Sequence, residues 1–163
     1  TVFTLGRICY QKNPKLFNEV AKKLPDVRFV WIGDGELREE LTADNIEITG
    51  WVNRRKALSY AVSADAFVLT SLWEGLPMSL LEAMYMEKLC VVSNVIGNRD
   101  VIKNAKNGFV CNSADEFAEK IKYIESNDCS VMVGNAKKDV MERYNTAVMA
   151  EKYDKIYRLR LER

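Results

Sequence analysis

Histidine is absent from this 163-residue chain, which excludes His-containing triads, His metal sites and imidazole acid–base catalysis. The four cysteines, Cys9, Cys90, Cys111 and Cys129, form no C-x-x-C pair, so we expect free thiols in a reducing compartment and no metal site. No stretch approaches the roughly 20 apolar residues that cross a bilayer, and no signal peptide is visible. A net charge of +1 gives no indication of nucleic-acid binding. Any anion must therefore be bound by a local site.

Short apolar runs alternate with helical patterns along most of the chain. Hydrophobic residues make up 48% and charged residues 29%, which is typical of a single globular domain, and we treat 1–163 as one. The chain opens in a strand-like run without an initiator Met, so we expect it to be a piece of a longer protein. The pattern predicts strands at 2–8, 27–32, 46–48, 66–70, 89–93 and 109–111, helices at 13–24, 36–41, 53–61, 77–87 and 113–126, and helix from about 129 to the C-terminus.

Strands that alternate with helices predict an α/β fold: a Rossmann-like parallel sheet with helices on both faces, followed by C-terminal helices. The run Phe67-Val68-Leu69 is apolar at successive positions, as a strand buried on both sides requires. Ligands of such sheets bind beyond the carboxyl ends of the strands. Candidate functional residues are therefore those that follow each strand.

The segment after the predicted strand 66–70 has the features of an anion site. Pro77 suits the first position of a helix, and the apolar residue before it cannot cap the helix with its side chain. The backbone amides of Met78, Ser79 and Leu80 are therefore predicted to be free, at the positive end of the helix dipole. Gly75 would let a ligand approach the backbone closely. The alternative is an ordinary helix end whose amides bond to water.

Two carboxylates, Glu74 and Glu82, flank this helix start. Because carboxylates repel phosphate, we expect them to contact hydroxyl groups, such as those of a ribose or a sugar. The alternative for Glu82 is a solvated helix residue without a ligand.

Two cations follow the first strand at the same edge of the sheet, Arg7 and Lys12 in the run that begins at Gly6. A helix dipole contributes at most about 2 kcal/mol to anion binding. Charge-assisted hydrogen bonds contribute roughly 1.5–3 kcal/mol each. A diphosphate site thus needs such cations, and both residues are candidates; the alternative is that they are surface charges.

A third candidate site follows the strand 46–48. Trp51 could flank a base whose edges Asn53 and Lys56 would contact; the alternative is that Trp51 belongs to the core. The Gly-x-Gly pair at 33–35 lacks the third glycine of a dinucleotide fingerprint, because position 38 is Arg, so NAD binding is not expected.

Six short motifs lie along the chain in a fixed order. They are G-R-x4-K from Gly6 to Lys12, the strand and GDG turn at 30–35, G-W-V at 50–52, E-x7-E from Glu74 to Glu82, E-A-M at 82–84 and N-G-F-V at 107–110. Together these motifs resemble the C-terminal domain of retaining glycosyltransferases of family 4, which have the GT-B fold. The resemblance covers nearly all of the chain, with the motifs at the expected spacing, and the combination is far more specific than E-x7-E alone.

The resemblance implies one half of a GT-B fold that binds a nucleotide-sugar, such as a UDP- or GDP-sugar, with no cofactor or metal. Arg7 and Lys12 would hold the diphosphate, Glu82 the ribose hydroxyls and Glu74 the donor sugar. The implied catalytic residues are Glu74, Arg7 and Lys12. The implied donor-binding residues are Gly6, Arg7, Lys12, Trp51, Asn53, Lys56, Glu74, Met78, Ser79, Leu80 and Glu82.

Two positions depart from the family pattern. Asn13 replaces the usual glycine after the motif lysine, and Gly97-Asn98-Arg99-Asp100 replaces a G-G-x-x-E loop. The helices around 144–157 resemble the segment that crosses back to an N-terminal domain, which this chain lacks. We expect their apolar face to be exposed.

For the whole protein, the resemblance implies transfer of a hexose-type sugar to a growing glycan or a lipid-linked acceptor in polysaccharide biosynthesis. The protein would be cytoplasmic, and peripheral to the inner face of the membrane through its N-terminal domain. The isolated domain would be inactive. Two alternatives remain, a non-catalytic nucleotide-binding module and a nucleotide-sugar epimerase of the same fold. The pairing of Glu74 and Glu82 with Arg7 and Lys12 favours the transferase.

Overall fold

The computed structural model describes residues 1–161, and six parallel strands form its centre. The strands are β1 Val2–Leu5, β2 Phe29–Ile32, β3 Ile46–Ile48, β4 Ala66–Leu69, β5 Leu89–Ser93 and β6 Phe109–Cys111. The helices are α1 Pro14–Lys23, α2 Arg54–Ser63, α3 Met78–Tyr85, α4 Asn98–Val101, α5 Ala114–Ser126, α6 Ser130–Arg143 and α7 Thr146–Leu161. Two 3₁₀ turns lie at Tyr10–Lys12 and Arg38–Glu40.

The strand order is β3-β2-β1-β4-β5-β6, with every neighbouring pair parallel. This is the doubly wound order, and it confirms the predicted Rossmann-like fold. The chain builds outward from β1 in one direction and then returns to add β4 on the other side. The loops after β1 and β4 therefore diverge and leave a crevice at their carboxyl ends.

Each face of the sheet packs against its own set of helices. Because successive side chains of a strand point to opposite faces, Phe29 and Trp31 enter one core while Val30 and Ile32 enter the other. The first core includes α1 and α5, with Phe17 packed edge-on against Trp31. The second includes residues of α2, α3 and α6. Burying such a side chain stabilises the fold by roughly 1.5–3 kcal/mol.

Polar side chains fix where several helices begin. Asn13 is in the left-handed region, with φ 51°, and its side chain accepts a hydrogen bond from the Leu16 amide at the start of α1. Ser113 caps α5 by accepting from the amide of Glu116 at 3.3 Å. The Glu116 carboxylate accepts from the amide of Asn112, one residue before the cap, at 2.8 Å. Asparagine, like glycine, adopts this left-handed conformation more readily than most residues.

Several predicted element boundaries were wrong. The helix predicted at 36–41 is only the 3₁₀ turn Arg38–Glu40, and Pro77 caps α3 instead of opening it. The helix predicted from about 129 is divided, because Asn145 accepts from the amide of Val148 and starts α7 anew. Residues 162–163 of that prediction lie outside the described residues. The four-residue helix α4 was not predicted.

The helix α7 has little cover. Residues 149–160 are all exposed, and Met149, Tyr153, Ile156 and Tyr157 form an apolar stripe along it. The predicted exposure of this apolar face is therefore found. None of the helices within residues 1–161 is both long and apolar enough to span a bilayer.

The cysteines are free thiols, two of them in the core. Burial raises the pKa of Cys111 to about 12 and the pKa of Cys90 still further above its ordinary value. Both thiols therefore stay protonated at neutral pH and act as small apolar side chains.

The glycine turn at 33–35 has a packing role. Gly33 has φ +141°, and a Cβ there would lie 2.2 Å from the carbonyl oxygen of Gly6. A Cβ on Gly35 would lie 2.2 Å from the carbonyl oxygen of Ile8. The two glycines thus let the turn pack directly against the loop that follows β1.

We predict that Gly33→Ala lowers the free energy of unfolding by about 2–3 kcal/mol, because the added methyl group displaces the Gly6 carbonyl and the backbone is strained. Gly134→Ala is the matched control. It lies inside α6 with no atom within 4 Å of the added carbon, and should raise stability by about 0.5–1 kcal/mol. Urea unfolding of both variants tests this, and equal effects would contradict the packing role.

Candidate functional site

Hydrogen bonds join the loops that border the crevice between β1 and β4. The Leu72 amide donates to the carbonyl of Gln11 at 2.8 Å, and the Gln11 side chain donates to the carbonyl of Trp73 at 3.0 Å. The hydroxyl of Thr70, at the end of β4, donates to the carbonyl of Lys12 at 2.8 Å. The 3₁₀ turn after β1 and the loop after β4 therefore form one connected frame.

An ion pair between Lys12 and Glu74 lies within this frame. The Lys12 Nζ is 2.5 Å from Glu74 Oε1, and only 18% and 6% of the two side chains are exposed. The Ser71 hydroxyl donates to the same oxygen at 2.6 Å. Glu74 Oε2 makes no hydrogen bond within the described part of the chain. One carboxylate oxygen is thus held by two donors, and the other by none within residues 1–161.

The start of α3 offers two free amides, not the three that were predicted. Its N-cap, Pro77, supplies no side-chain hydrogen bond. Leu80 donates its amide to the Pro77 carbonyl at 3.1 Å, because the first turn is tightened into an i to i+3 bond. The amides of Met78 and Ser79 have no hydrogen-bond partner among residues 1–161. Two adjacent free amides at a helix N-terminus are still able to bind an anion.

Arg7 is less firmly placed than Lys12. Its guanidinium Nε lies 3.0 Å from Glu36 Oε2, and 65% of its side chain is exposed. Such an exposed ion pair contributes about 1 kcal/mol at most. Arg7 therefore lies at the edge of the crevice and can exchange Glu36 for another anion at little cost.

A cavity of about 220 Å³ lies beside the crevice. Its lining is mainly apolar, with Arg54 and Glu82 as the charged members. Trp51 borders it with 71% of its surface exposed, which contradicts the alternative that Trp51 belongs to the core. The lining residues are Leu5, Gly6, Ile32, Gly33, Trp51, Val52, Arg54, Ala57, Leu58 and Glu82.

Asn53 and Lys56 do not line this cavity, contrary to the expectation that they border a base pocket. The Asn53 side-chain oxygen caps α2 by accepting from the amide of Lys56 at 2.9 Å. Val52, Arg54 and Leu58 occupy the lining instead. The sequence did contain a signal for the last two, since positions four apart on a helix share a face.

Glu82 projects from the second turn of α3 into the same cavity. Arg54 approaches it across the cavity, with NH1 2.8 Å from Glu82 Oε1, and 27% of the Glu82 side chain is exposed. The carboxylate is therefore accessible, and its counter-ion is an exposed surface side chain.

Residues 97–100, at the start of α4, pack against the loop that follows β4. Gly97 has φ +85°, and a Cβ there would lie 2.5 Å from the carbonyl oxygens of both Glu74 and Gly75. The Asp100 carboxylate accepts from the amide of Gly97 at 3.2 Å and holds the turn closed. This loop thus packs against the backbone that carries Glu74. Within residues 1–161, no three Cys, Asp or Glu side chains lie close enough together to bind a metal ion.

The doubly wound sheet and its crevice define the chain as a Rossmann-like domain, of the kind that forms one half of a GT-B fold. Residues 1–145 match the family model for glycosyl transferases group 1. The chain belongs to this family.

Two relatives illustrate the similarity. The chain is 34% identical to a UDP-Gal:α-D-GlcNAc-diphosphoundecaprenol α-1,3-galactosyltransferase of Escherichia coli, over 96% of this chain and 45% of that protein. It is 30% identical to an N,N′-diacetylbacillosaminyl-diphospho-undecaprenol α-1,3-N-acetylgalactosaminyltransferase of Campylobacter jejuni, over 96% and 44%. The chain thus spans less than half the length of these relatives.

Solved structures share the fold at lower identity. Anabaena HepE in complex with UDP and glucose has a TM-score of 0.82 at 18% identity, over 96% of this chain and 47% of that one. The C-terminal domain of the group 1 glycosyl transferase LpcC from Francisella tularensis has a TM-score of 0.75 at 22% identity, over 89% and 86%.

We predict that Met78→Pro weakens binding of inorganic pyrophosphate about 10- to 150-fold, because a hydrogen bond to a charged group contributes roughly 1.5–3 kcal/mol. Proline is tolerated at the first helical position, and Pro77 already has the extended backbone that a following proline requires. Only the amide is therefore lost from the helix.

Met78→Ala removes the same exposed side chain and keeps the amide, so it should bind pyrophosphate like the unaltered chain. Calorimetric titration compares the three proteins. Equal losses for the proline and alanine variants would assign the effect to the side chain and contradict the anion site.

Proposed function

We propose that this chain is the donor-binding half of a retaining glycosyltransferase, in which it binds a nucleotide-diphosphate sugar. The whole protein transfers a hexose-type sugar to a growing glycan or lipid-linked acceptor. The observation that carries the proposal is the cavity that Gly6 and Glu82 both line, because Gly6 lies beside Lys12 and Glu82 lies one turn after the free amides of Met78 and Ser79. The cation and the amides suit a diphosphate, and the Glu82 carboxylate suits a ribose joined to it.

Each part of a nucleotide-sugar has a counterpart in this arrangement. The apolar cavity beside Trp51 and Val52 suits the flat base, and Glu82 suits the ribose hydroxyls at its edge. The amides of α3 and the Lys12 ammonium suit the diphosphate. Glu74 Oε2 then remains for a hydroxyl of the donor sugar.

The chemistry follows from where charge develops. When the sugar departs, the diphosphate gains negative charge, and Lys12, Arg7 and the α3 dipole stabilise that charge in place. Glu74 holds the sugar in orientation. The acceptor and the rest of the catalytic cleft would come from an N-terminal domain, so the chain alone would bind donor without transferring it.

The names of the relatives support a narrower proposal for donor and acceptor. The Escherichia coli relative is named for UDP-Gal and an undecaprenol-diphosphate acceptor, and the Campylobacter jejuni relative is named for a similar acceptor. Anabaena HepE was solved with UDP. We therefore propose a UDP-hexose as donor and a lipid-linked saccharide as acceptor, at the cytoplasmic face of the membrane.

The two alternatives fit less well. A non-catalytic module would have no need for Glu74, whose carboxylate is buried beside Lys12 at the cost of desolvation. An epimerase of the same fold would bind the same donor, but the relatives described above are named as transferases.

Titration of the chain with UDP, GDP, ADP and CDP tests the donor site. We expect UDP to bind at or below millimolar concentration and to change the fluorescence of Trp51, with Trp51→Phe as the control for the two other tryptophans. If no nucleoside diphosphate binds at millimolar concentration, the donor-site proposal is wrong.

We predict that Glu82→Ala weakens UDP binding about 10- to 150-fold, because hydrogen bonds to a charged carboxylate contribute roughly 1.5–3 kcal/mol. Pyrophosphate, which has no ribose, should bind unchanged. Arg54→Ala is the matched control, because it breaks the same ion pair and leaves the carboxylate. Equal losses of UDP and pyrophosphate affinity in Glu82→Ala would show that Glu82 does not contact ribose.

A further inference from the structure

Two buried serine hydroxyls form hydrogen bonds to Glu74 and to the backbone of its loop. Neither hydroxyl belongs to the proposed donor contacts. Ser71 is 1% exposed, and its hydroxyl donates to Glu74 Oε1 at 2.6 Å, the oxygen that Lys12 also contacts. The Ser71 side chain lies at the carboxyl end of β4, below the loop that carries Glu74.

Ser71 is itself held in place by the end of the next strand. The Ser93 hydroxyl donates to the Ser71 carbonyl at 2.5 Å, and the Asn98 side-chain amide donates to that hydroxyl at 3.1 Å and to the Ser93 carbonyl at 3.2 Å. Asn98 is fully buried. Ser93 therefore anchors the backbone of Ser71 and is itself held by Asn98, while the Ser71 hydroxyl bonds Glu74.

Resting on the proposed function, we infer that Ser71 is a positioning residue that fixes the Glu74 carboxylate for the donor sugar. Its backbone is anchored by Ser93, and its hydroxyl bonds Oε1 and leaves Oε2 without a donor. Lys12 has three N–H donors and must also serve the diphosphate. When Lys12 turns to the diphosphate, Ser71 keeps Glu74 from following it.

The loss of this hydroxyl should act on turnover more than on donor binding. Without Ser71, the carboxylate can rotate about its side-chain bonds and pair with Lys12 through either oxygen. The sugar is then held less accurately, and a displacement of about 1 Å can cost on the order of 100-fold in rate. The contacts to base, ribose and diphosphate do not involve Ser71.

The test uses the full-length protein that contains this chain, assayed with UDP-hexose and its lipid-linked acceptor. We expect Ser71→Ala to lower kcat about 10- to 100-fold and to change the KM for the donor by less than about threefold. Ser59→Ala is the matched control, since it removes an exposed hydroxyl that bonds only within α2 and should leave both constants unchanged.

A double-mutant cycle shows whether Ser71 acts through Glu74. In a Glu74→Gln background, Ser71→Ala should lower kcat no further, because the carboxylate that it positions is already lost. An unchanged kcat in Ser71→Ala, or the same loss with and without Glu74, would overturn the inference. If Ser71→Ala does not fold, Ser93→Ala takes its place, because it removes the hydrogen bond to the Ser71 carbonyl. Its kcat is judged by the same criteria.

Titration of the unaltered protein with UDP separates this inference from the proposed function. A protein that binds no nucleoside diphosphate contradicts the donor site itself. A protein that binds UDP and transfers sugar, but is indifferent to Ser71→Ala, contradicts only the role of Ser71.

Discussion

The site depends on one topological constraint, the reversal of winding between β1 and β4. Because these strands are neighbours in the sheet but are followed by loops that turn in opposite directions, their carboxyl ends bring together residues distant in sequence. Lys12 and Glu74, 62 positions apart, meet at 2.5 Å as a result. The glycine turn at 33–35 and Gly97 then pack against the two loops and leave them little freedom.

The charged side chains of the site are close to electrically balanced, and this balance shapes what the site can bind. Lys12 is paired with Glu74, Arg54 with Glu82 and Arg7 with Glu36. A ligand that brings only negative charge must compete with three carboxylates for the cations. A ligand that brings hydroxyls together with negative charge can satisfy both signs, and a nucleotide-sugar does so.

Much of the fold and part of the site could be predicted from the sequence, because they rest on local signals. The apolar runs located all six strands, and the start of α1 near Asn13 and the helix position of Glu82 followed from short-range spacing. The predictions failed where distant contacts decide the outcome. The turn at Arg38–Glu40 is an example, since the adjoining Gly35 is packed against Ile8.

The same limit applies to side chains of the site. Asn53 could contact a base by residue type, but its side-chain oxygen accepts the hydrogen bond that caps α2. Val52 and Arg54 border the cavity in its place. Ser71 carries no motif of its own. Its contact with Glu74 lies within one loop, but the bond that anchors its backbone comes from Ser93, 22 positions away at the end of β5.

The exposed stripe on α7 has a thermodynamic consequence for this half of the protein. The family match ends at residue 145, just before this 16-residue helix, and isolated helices of about this length are marginal in water. Its pairs Glu151–Lys155 and Asp154–Arg158 add only about 0.3–0.5 kcal/mol each. The stability of α7 then depends on how far its apolar stripe, with Met149 and Tyr153, is buried against another surface. Val148 and Met149 line a cavity together with Leu76 and Met78. Ordering of α7 would therefore change the surroundings of the free amides at the start of α3.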